Sequence, residues 1–217
     1  IQTTTDKKEA FAFNCGFDVQ DFAVLNEDKN FVVLGKKGEL KCVANGKLKW
    51  TKKLNTSVKG KIQLIDLHQS GEQFILLNTS NKIHLWNLSG NYVNGFPINL
   101  NTSASNEVKF YHWNGRSYFI IANEKNQVLH FDAKGRELNI ISSEINITRK
   151  IDVWTSRSEL YAGFANGSSF IMYNLERYAK HREFQLHAPC LSAKIPNELL
   201  QFGIKNGKLI KITQKGI

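Results

Sequence analysis

The densest chemistry-bearing stretch of the chain is basic. Between Lys36 and Lys61 stand nine lysines (Lys36, Lys37, Lys41, Lys47, Lys49, Lys52, Lys53, Lys59 and Lys61) against one acid, Glu39. Alternation along an extended segment places Lys47, Lys49 and Lys53 on one face. Two roles suit such a row. Lysines on an outer strand block edge-to-edge pairing of sheets. The same region, Lys47, Lys49, Lys52, Lys53, Lys59 and Lys61, can form a basic patch that docks an acidic protein, anionic lipid headgroups or a polyanionic glycan. Nucleic acid is the poorer fit, because the cluster is lysine with no arginine near it and lacks interleaved base-stacking aromatics.

The other reactive residue types form no motif. His68, His84, His112, His130, His181 and His187 make no HxH or HExxH pattern, so no metal site can be read. Cys15, Cys42 and Cys190 are far apart and odd in number, which argues against a full disulfide framework and for small buried hydrophobes. There is no GxSxG, phosphate-binding loop, GxGxxG after a strand, or paired-carboxylate motif, and no nucleophile–base pair. No catalytic residue and no cofactor is assigned. Asn-x-Ser/Thr occurs at Asn55, Asn78, Asn87, Asn101, Asn146 and Asn166, which we read as turn chemistry.

The elements that must position these residues repeat at a period of about 40–45 residues. The copies run from Phe31 to Trp50, Phe74 to Val93, Tyr118 to Leu138, Glu159 to Tyr178, and Leu199 to Ile217. Each holds an apolar run, a hairpin turn, an alternating run and a second turn. The second turn ends at Gly46, Gly90, Gly135 and Gly216, and the fourth copy has Asn174-Leu175-Glu176-Arg177 there instead. Four residues before it stand Cys42, Trp86, Phe131 and Ile212, with Tyr173 in copy four. Six before it stand Leu40, His84, Leu129 and Ile210, with Ile171 in copy four. Apolar columns spaced by two are a strand with a buried face. The preceding runs, such as Phe31–Leu34 and Phe74–Leu77, are apolar throughout, as in central strands covered on both faces.

A further strand precedes each pair (Phe22–Leu25, Ile62–Leu67, Val108–Trp113, Ile151–Trp154, Leu191–Lys194). Another follows the first four turns (Lys47–Leu54, Tyr92–Leu100, Glu137–Ile145, Tyr178–Leu186). Four strands per unit is the composition of a propeller blade. The expected fold is therefore all-β, a β-propeller of about five four-stranded blades or a fragment of a larger propeller. Residues 1–10 read as a linker or disordered terminus and 11–217 as a single propeller domain. In a closed five-bladed ring, the alternating residues 10–15 supply the last strand of blade five. His84, in a column otherwise filled by Leu and Ile, reads either as a ligand or pH-sensitive group near the axis, or as a buried histidine satisfied by a backbone carbonyl.

The bulk numbers agree with one globular all-β unit. The chain has 217 residues, 41 % hydrophobic, with 14 Phe and a net charge of +10. No window approaches the roughly 18 consecutive apolar residues of a membrane span. The chain opens on Ile1 without a signal-type leader, so a fragment or processed product is expected.

The stretch from Gly38 to Trp50, GELKCVANGKLKW, and that from Val128 to Leu138, VLHFDAKGREL, resemble the quinoprotein-type propeller repeat. The second copy, ending SGNYVNGFPI at Ser89–Ile98, resembles a blade ending of bacterial surface propellers. Together the first three copies resemble the propeller region of a family of bacterial envelope proteins, over roughly residues 18–185. The resemblance implies a fold and a place, the bacterial periplasm or cell envelope, more than an activity. Quinoprotein dehydrogenases hold their cofactor with a vicinal disulfide and clustered acids. This chain has no Cys-Cys pair and scattered acids, so the resemblance does not carry the cofactor over. A WD-type repeat gains from Leu85-Trp86-Asn87 but lacks the Gly-His pair. The expected function is a non-catalytic scaffold for a protein partner in an envelope complex. The alternative is a binding module or enzyme with a small-molecule or glycan site on the propeller axis.

Overall fold

The computed structural model describes residues 12–25, 29–142, 147, 151–156, 158–166, 169–185, 191–195, 198–205 and 208–212. Among them, every regular element is a β-strand. Blade 1 is β1 (Val19–Val24), β2 (Phe31–Gly35), β3 (Glu39–Ala44) and β4 (Lys47–Lys53). Blade 2 is β5 (Val58–Ile65), β6 (Phe74–Thr79), β7 (Lys82–Asn87) and β8 (Ile98–Asn99). Blade 3 is β9 (Lys109–Trp113), β10 (Arg116–Ala122), β11 (Gln127–Asp132) and β12 (Glu137–Ser142). Blade 4 is β13 (Asp152–Ser156), β14 (Glu159–Asn166), β15 (Ser169–Asn174) and β16 (Ala179–Gln185). A fifth sheet holds β17 (Leu191–Ile195), β18 (Glu198–Lys205) and β19 (Lys208–Ile212). In each sheet the strands pair antiparallel in chain order. First strands of neighbouring blades approach one another, β1 to β5 and β9 to β13, which makes them the innermost strands. These are the expected antiparallel blades of a β-propeller, four of them four-stranded and the fifth three-stranded among the described residues.

The local chemistry of the turns sets the meanders. Asn45 and Gly46 both take positive φ (51° and 71°) between β3 and β4, the backbone of a tight hairpin turn. In blades 2 to 4 a carboxamide or carboxylate at the end of the third strand caps the next turn. Asn87 Oδ1 accepts the Asn91 N–H at 2.9 Å, Asp132 Oδ1 those of Lys134 (2.9 Å) and Arg136 (3.0 Å), and Asn174 Oδ1 those of Glu176 and Arg177 (both 3.0 Å). The copy without a turn glycine places Tyr178 at φ 51° instead.

Face-to-face burial of the sheets forms the core. Leu34, Leu40 and Cys42 meet Ile75, Leu77 and Trp86 between blades 1 and 2. Leu76 and Leu85 meet Phe119, Leu129 and Phe131 between blades 2 and 3. Ile120 and Val128 meet Phe164, Ile171 and Tyr173 between blades 3 and 4. Consecutive residues of one central strand thus serve opposite interfaces, the physical reason for the unbroken apolar runs.

Three expectations change. The fourth strand of blade 2 is short. Tyr92 makes an isolated bridge to Trp86, and the chain then turns through Gly95 and the cis Phe96–Pro97 bond before β8. Gly95 is required there: a Cβ on it would lie 2.0 Å from the Lys134 carbonyl oxygen of blade 3. Residues 12–15 form no strand and do not complete the fifth sheet. Phe13 lies instead on blade 1 with its ring 5.6 Å from that of Phe31, and Cys15 O accepts from Lys41 Nζ at 2.8 Å. Phe22 and Val24, on the face of β1 turned from blade 2, are 63 % and 52 % exposed. Third, Asn78 is no turn residue but a buried β6 residue. Its Oδ1 accepts the Val108 N–H at 2.9 Å and its Nδ2 donates to Asn106 O at 3.1 Å, tying blade 2 to blade 3. Residues 1–11, Asn146, His187, Cys190 and Gly216 lie outside the described residues.

An Asn78→Leu variant keeps the branch at Cγ and loses the acceptor. The buried Val108 N–H is then unpaired, so unfolding free energy falls by about 1–3 kcal/mol in urea titration. An unchanged midpoint would show that water reaches this seam.

Candidate functional site

The six lysines of the basic cluster do not share one strand. Lys47, Lys49, Lys52 and Lys53 lie on β4, the outer strand of blade 1, whereas Lys59 and Lys61 lie on β5, the inner strand of blade 2. A bulge interrupts the expected alternation. Cys42 pairs with Trp50 and Val43 with Leu48, so Lys49 is the extra residue. Lys53 is neutralised by Glu39, 2.8 Å away. Lys47 and Lys49 are exposed and make no ion pair among the described residues. Their place on an unpaired outer edge also suits edge protection.

Lys52 is engaged differently. Its ammonium lies 5.6 Å from the ring centroid of Trp50, and 5.8 Å from those of Trp86 and Tyr92. Three aromatic faces around one cation hold it electrostatically at the seam between blades 1 and 2. The Trp50 indole N–H crosses the same seam to donate to Leu88 O at 2.9 Å. Tyr92 (44 % exposed) and Leu88 (36 %) continue this rim to the surface.

His84 belongs to the same seam and not to the axis, since β7 is the third strand of its blade. It is buried, stacks on Trp86 at 5.0 Å, and its Nδ1 lies 2.8 Å from the Tyr92 hydroxyl. The Thr79 hydroxyl is 3.4 Å from Nε2. The ring is therefore satisfied by hydroxyls and not by a backbone carbonyl. Burial, with help from the charges of Lys82 and Lys52, pushes its pKa down to about 4.

The sequence pattern did not single out His130, yet it organises the seam between blades 3 and 4. Its Nε2 is hydrogen-bonded to the Tyr111 hydroxyl and its Nδ1 lies 3.0 Å from that of Tyr178, 48 residues away. A tyrosine hydroxyl can donate or accept, so both contacts suit the neutral imidazole that burial favours. Burial holds its pKa down at about 4. Tyr118 stacks on Tyr111 with centroids 5.4 Å apart. A cleft of about 430 Å³ opens over this aromatic wall, lined also by Trp113, Asn114, Arg116, Leu138 and Glu176. The β9–β10 hairpin supplies Trp113, Asn114 and Arg116, and the turn after β15 supplies Glu176 and Tyr178. No spacing rule brings residues of two blades together, so only the Tyr/Trp content of these two segments hinted at the cleft.

Cys42 is buried, with its thiol pKa raised by that burial, and Cys15 is half-buried; both are free thiols. Among the described residues, no three His, Cys, Asp or Glu side chains are placed to hold a metal ion, and no helix is long and apolar enough to cross a membrane.

No family model and no curated protein matches the chain. Solved structures do. The chain is similar to BBS1N in its crystal structure with ARL6DN, with a TM-score of 0.60 and 12 % identity, over 93 % of this chain and 67 % of that chain. It is similar to the WD40 domain of Pan2 from Neurospora crassa, with a TM-score of 0.55 and 13 % identity, over 91 % of this chain and 66 % of that one. The chain thus spans about two thirds of the length of these structures. At these identities the likeness is one of fold, and with the blade order above it defines the chain as a β-propeller.

The two buried histidines set a pH dependence. Both pKa values fall from the ordinary 6.5 to about 4 on folding. Between those values the unfolded chain binds more protons, so stability rises with pH through the window and is lost as pH falls from 6.5 toward 4. By pH 5 each histidine removes about 2 kcal/mol. The His84→Gln/His130→Gln double variant has a flatter urea-midpoint profile between pH 7.5 and 5 than the parent chain. Parallel profiles would show that the rings do not titrate in this window.

Proposed function

We propose that the protein is a non-catalytic β-propeller scaffold that holds a protein partner bearing an acidic surface, in an envelope complex of a bacterial cell or its periplasm. The observation that carries the reading is the outer rim at blades 1 and 2. There the unpaired cations Lys47 and Lys49 lie on the same outer strand as Trp50, whose indole N–H reaches Leu88 O, and Leu88 and Tyr92 continue the rim to the surface. A half-buried tryptophan and an exposed tyrosine near unneutralised positive charge are the make-up of a docking surface: the rings supply buried area, and the charges steer the partner and set orientation. The fold neighbour BBS1N is itself seen in complex with a protein, ARL6DN, which supports a partner-binding use of the architecture here. The envelope setting and the quinoprotein-type character of the repeats rest on the resemblance of the stretches Gly38–Trp50, Ser89–Ile98 and Val128–Leu138.

In this reading Lys59 and Lys61, on the inner strand β5, lie outside the docking surface. Lys52 serves it indirectly, by fixing the rings of Trp50 and Tyr92.

The test is affinity capture of the tagged protein from its native host, with mild crosslinking and mass spectrometry. A reproducible acidic protein partner is expected, with crosslinks at Lys47 and Lys49. Capture falls at least about tenfold for the Lys47→Glu/Lys49→Glu pair and for Tyr92→Ala, and is unchanged for Lys59→Glu/Lys61→Glu. Undiminished capture by the charge-reversed rim, or retention on anionic vesicles in place of a protein, would overturn the reading.

A further inference from the structure

We propose that the cleft between blades 3 and 4 is a saccharide-binding site, separate from the docking rim. Its volume, about 430 Å³, falls within the roughly 300–1,000 Å³ of small-ligand sites. The chemistry of the lining decides the class of ligand.

Trp113, Tyr118 and Tyr178 are half-buried, each packed against the core between blades 3 and 4 and bordering the cleft. At the exposed mouth stand Asn114, Arg116 and Glu176. Arg116 and Glu176 make no ion pair among the described residues, and the side chains of Asn114, Arg116 and Glu176 make no hydrogen bond there either. The cleft therefore offers flat apolar faces together with a free amide, a free guanidinium and a free carboxylate.

An anionic ligand meets Glu176, and a cationic ligand meets Arg116. An apolar ligand would strip water from all three polar groups and pair none of them. A neutral polyhydroxylated ring uses every feature. Its hydroxyls donate to the Glu176 carboxylate and accept from Arg116 and Asn114, and its C–H face lies on the rings.

The wall is also held in advance. His130 anchors the hydroxyls of Tyr111 and Tyr178 on its two nitrogens, and Tyr111 stacks under Tyr118. Fixing the rings before binding lowers the entropic cost of association. Tyr178 carries φ 51°, a conformation rare for a bulky side chain. Such a conformation persists only where the surroundings over-determine it, and it clusters at ligand sites. Here it brings the Tyr178 hydroxyl to His130 and its ring to the border of the cleft.

The test uses the whole chain and a panel of glucose, galactose, N-acetylglucosamine, maltose, cellobiose, lactose and chitobiose. Saturation-transfer NMR reads binding, and titration calorimetry reads affinity. At least one sugar of the panel binds. Arg116→Ala and Glu176→Gln, both at exposed positions, each weaken it about tenfold, the loss of one charge-assisted hydrogen bond. Trp113→Ala abolishes it, with folding checked by the unfolding midpoint. Lys47→Glu/Lys49→Glu leaves sugar binding intact, which separates this site from the docking rim. Binding of no sugar in the panel overturns the proposal, as does binding indifferent to both Arg116→Ala and Glu176→Gln. A synthetic peptide library that occupies the cleft while sugars do not would likewise overturn it and make the cleft a protein anchor.

Discussion

Each of the first four blades depends on a neighbour to cover it. A four-stranded meander has two apolar faces, and burial of both requires a sheet on each side. The central strands record this constraint. On β6, Ile75 and Leu77 serve the interface with blade 1, while Leu76 serves that with blade 3. On β10, Phe119 and Ile121 face blade 2, while Ile120 and Ala122 face blade 4. A polar residue on either face of such a strand is costly unless it finds a partner across the seam. The exposed Phe22 and Val24 of β1 mark the face where this cover ends.

The seams need more than hydrophobic area, because stacked sheets without directional contacts can slide. The three interfaces among blades 1 to 4 accordingly carry polar ties with defined geometry. Asp21 Oδ2 accepts the Ile62 N–H at 2.8 Å between blades 1 and 2. Gln63 donates to Glu107 and to Val108 O, and Asn78 bonds both Val108 and Asn106, between blades 2 and 3. His130 reaches Tyr178 between blades 3 and 4. Where backbones themselves meet, only glycine fits. Gly95 approaches the Lys134 carbonyl, and a Cβ on Gly135 would lie 2.6 Å from Gly95 O. The Gly-Phe-Pro ending of blade 2 is thus a contact between blades and not only a turn.

The repeat made the fold readable. Columns such as Cys42, Trp86, Phe131 and Tyr173 share a period, and periodicity survives substitution within the apolar class. The strands fall within a few residues of the expected spans, except where Gly95 and Phe96–Pro97 divert the end of blade 2. Residues whose role lies across a seam were not readable. Asn78 has the sequence surroundings of a turn asparagine, and only the neighbouring blade reveals it as a buried tie. His130 looked ordinary because its partners stand 19 and 48 residues away. The lysine cluster read as one surface because sequence distance hides the step from the outer edge of one blade to the inner strand of the next. The bulge at Lys49 then broke the alternation that grouped Lys47, Lys49 and Lys53.

The two aromatic seams show how one architecture yields two different surfaces. Both place aromatic rings around a buried histidine, Trp86 and Tyr92 at His84 and Tyr111, Tyr118 and Tyr178 at His130. Between blades 1 and 2, the outer strand offers a lysine, and Lys52 fills the space among Trp50, Trp86 and Tyr92. The seam is closed, and its remaining surface is a rim of rings and charge. Between blades 3 and 4, the corresponding outer strand offers Leu138, and among the described residues no lysine lines the space beside Tyr111, Tyr118 and Tyr178. That space stays open, with Arg116 and Glu176 at its mouth. The difference is local to a few side chains on strands β4 and β12, such as Lys52 and Leu138, which lie outside the buried core clusters. A propeller can therefore vary its surface blade by blade while the apolar columns hold the architecture constant, which is how fold and function become separable in a repeat protein.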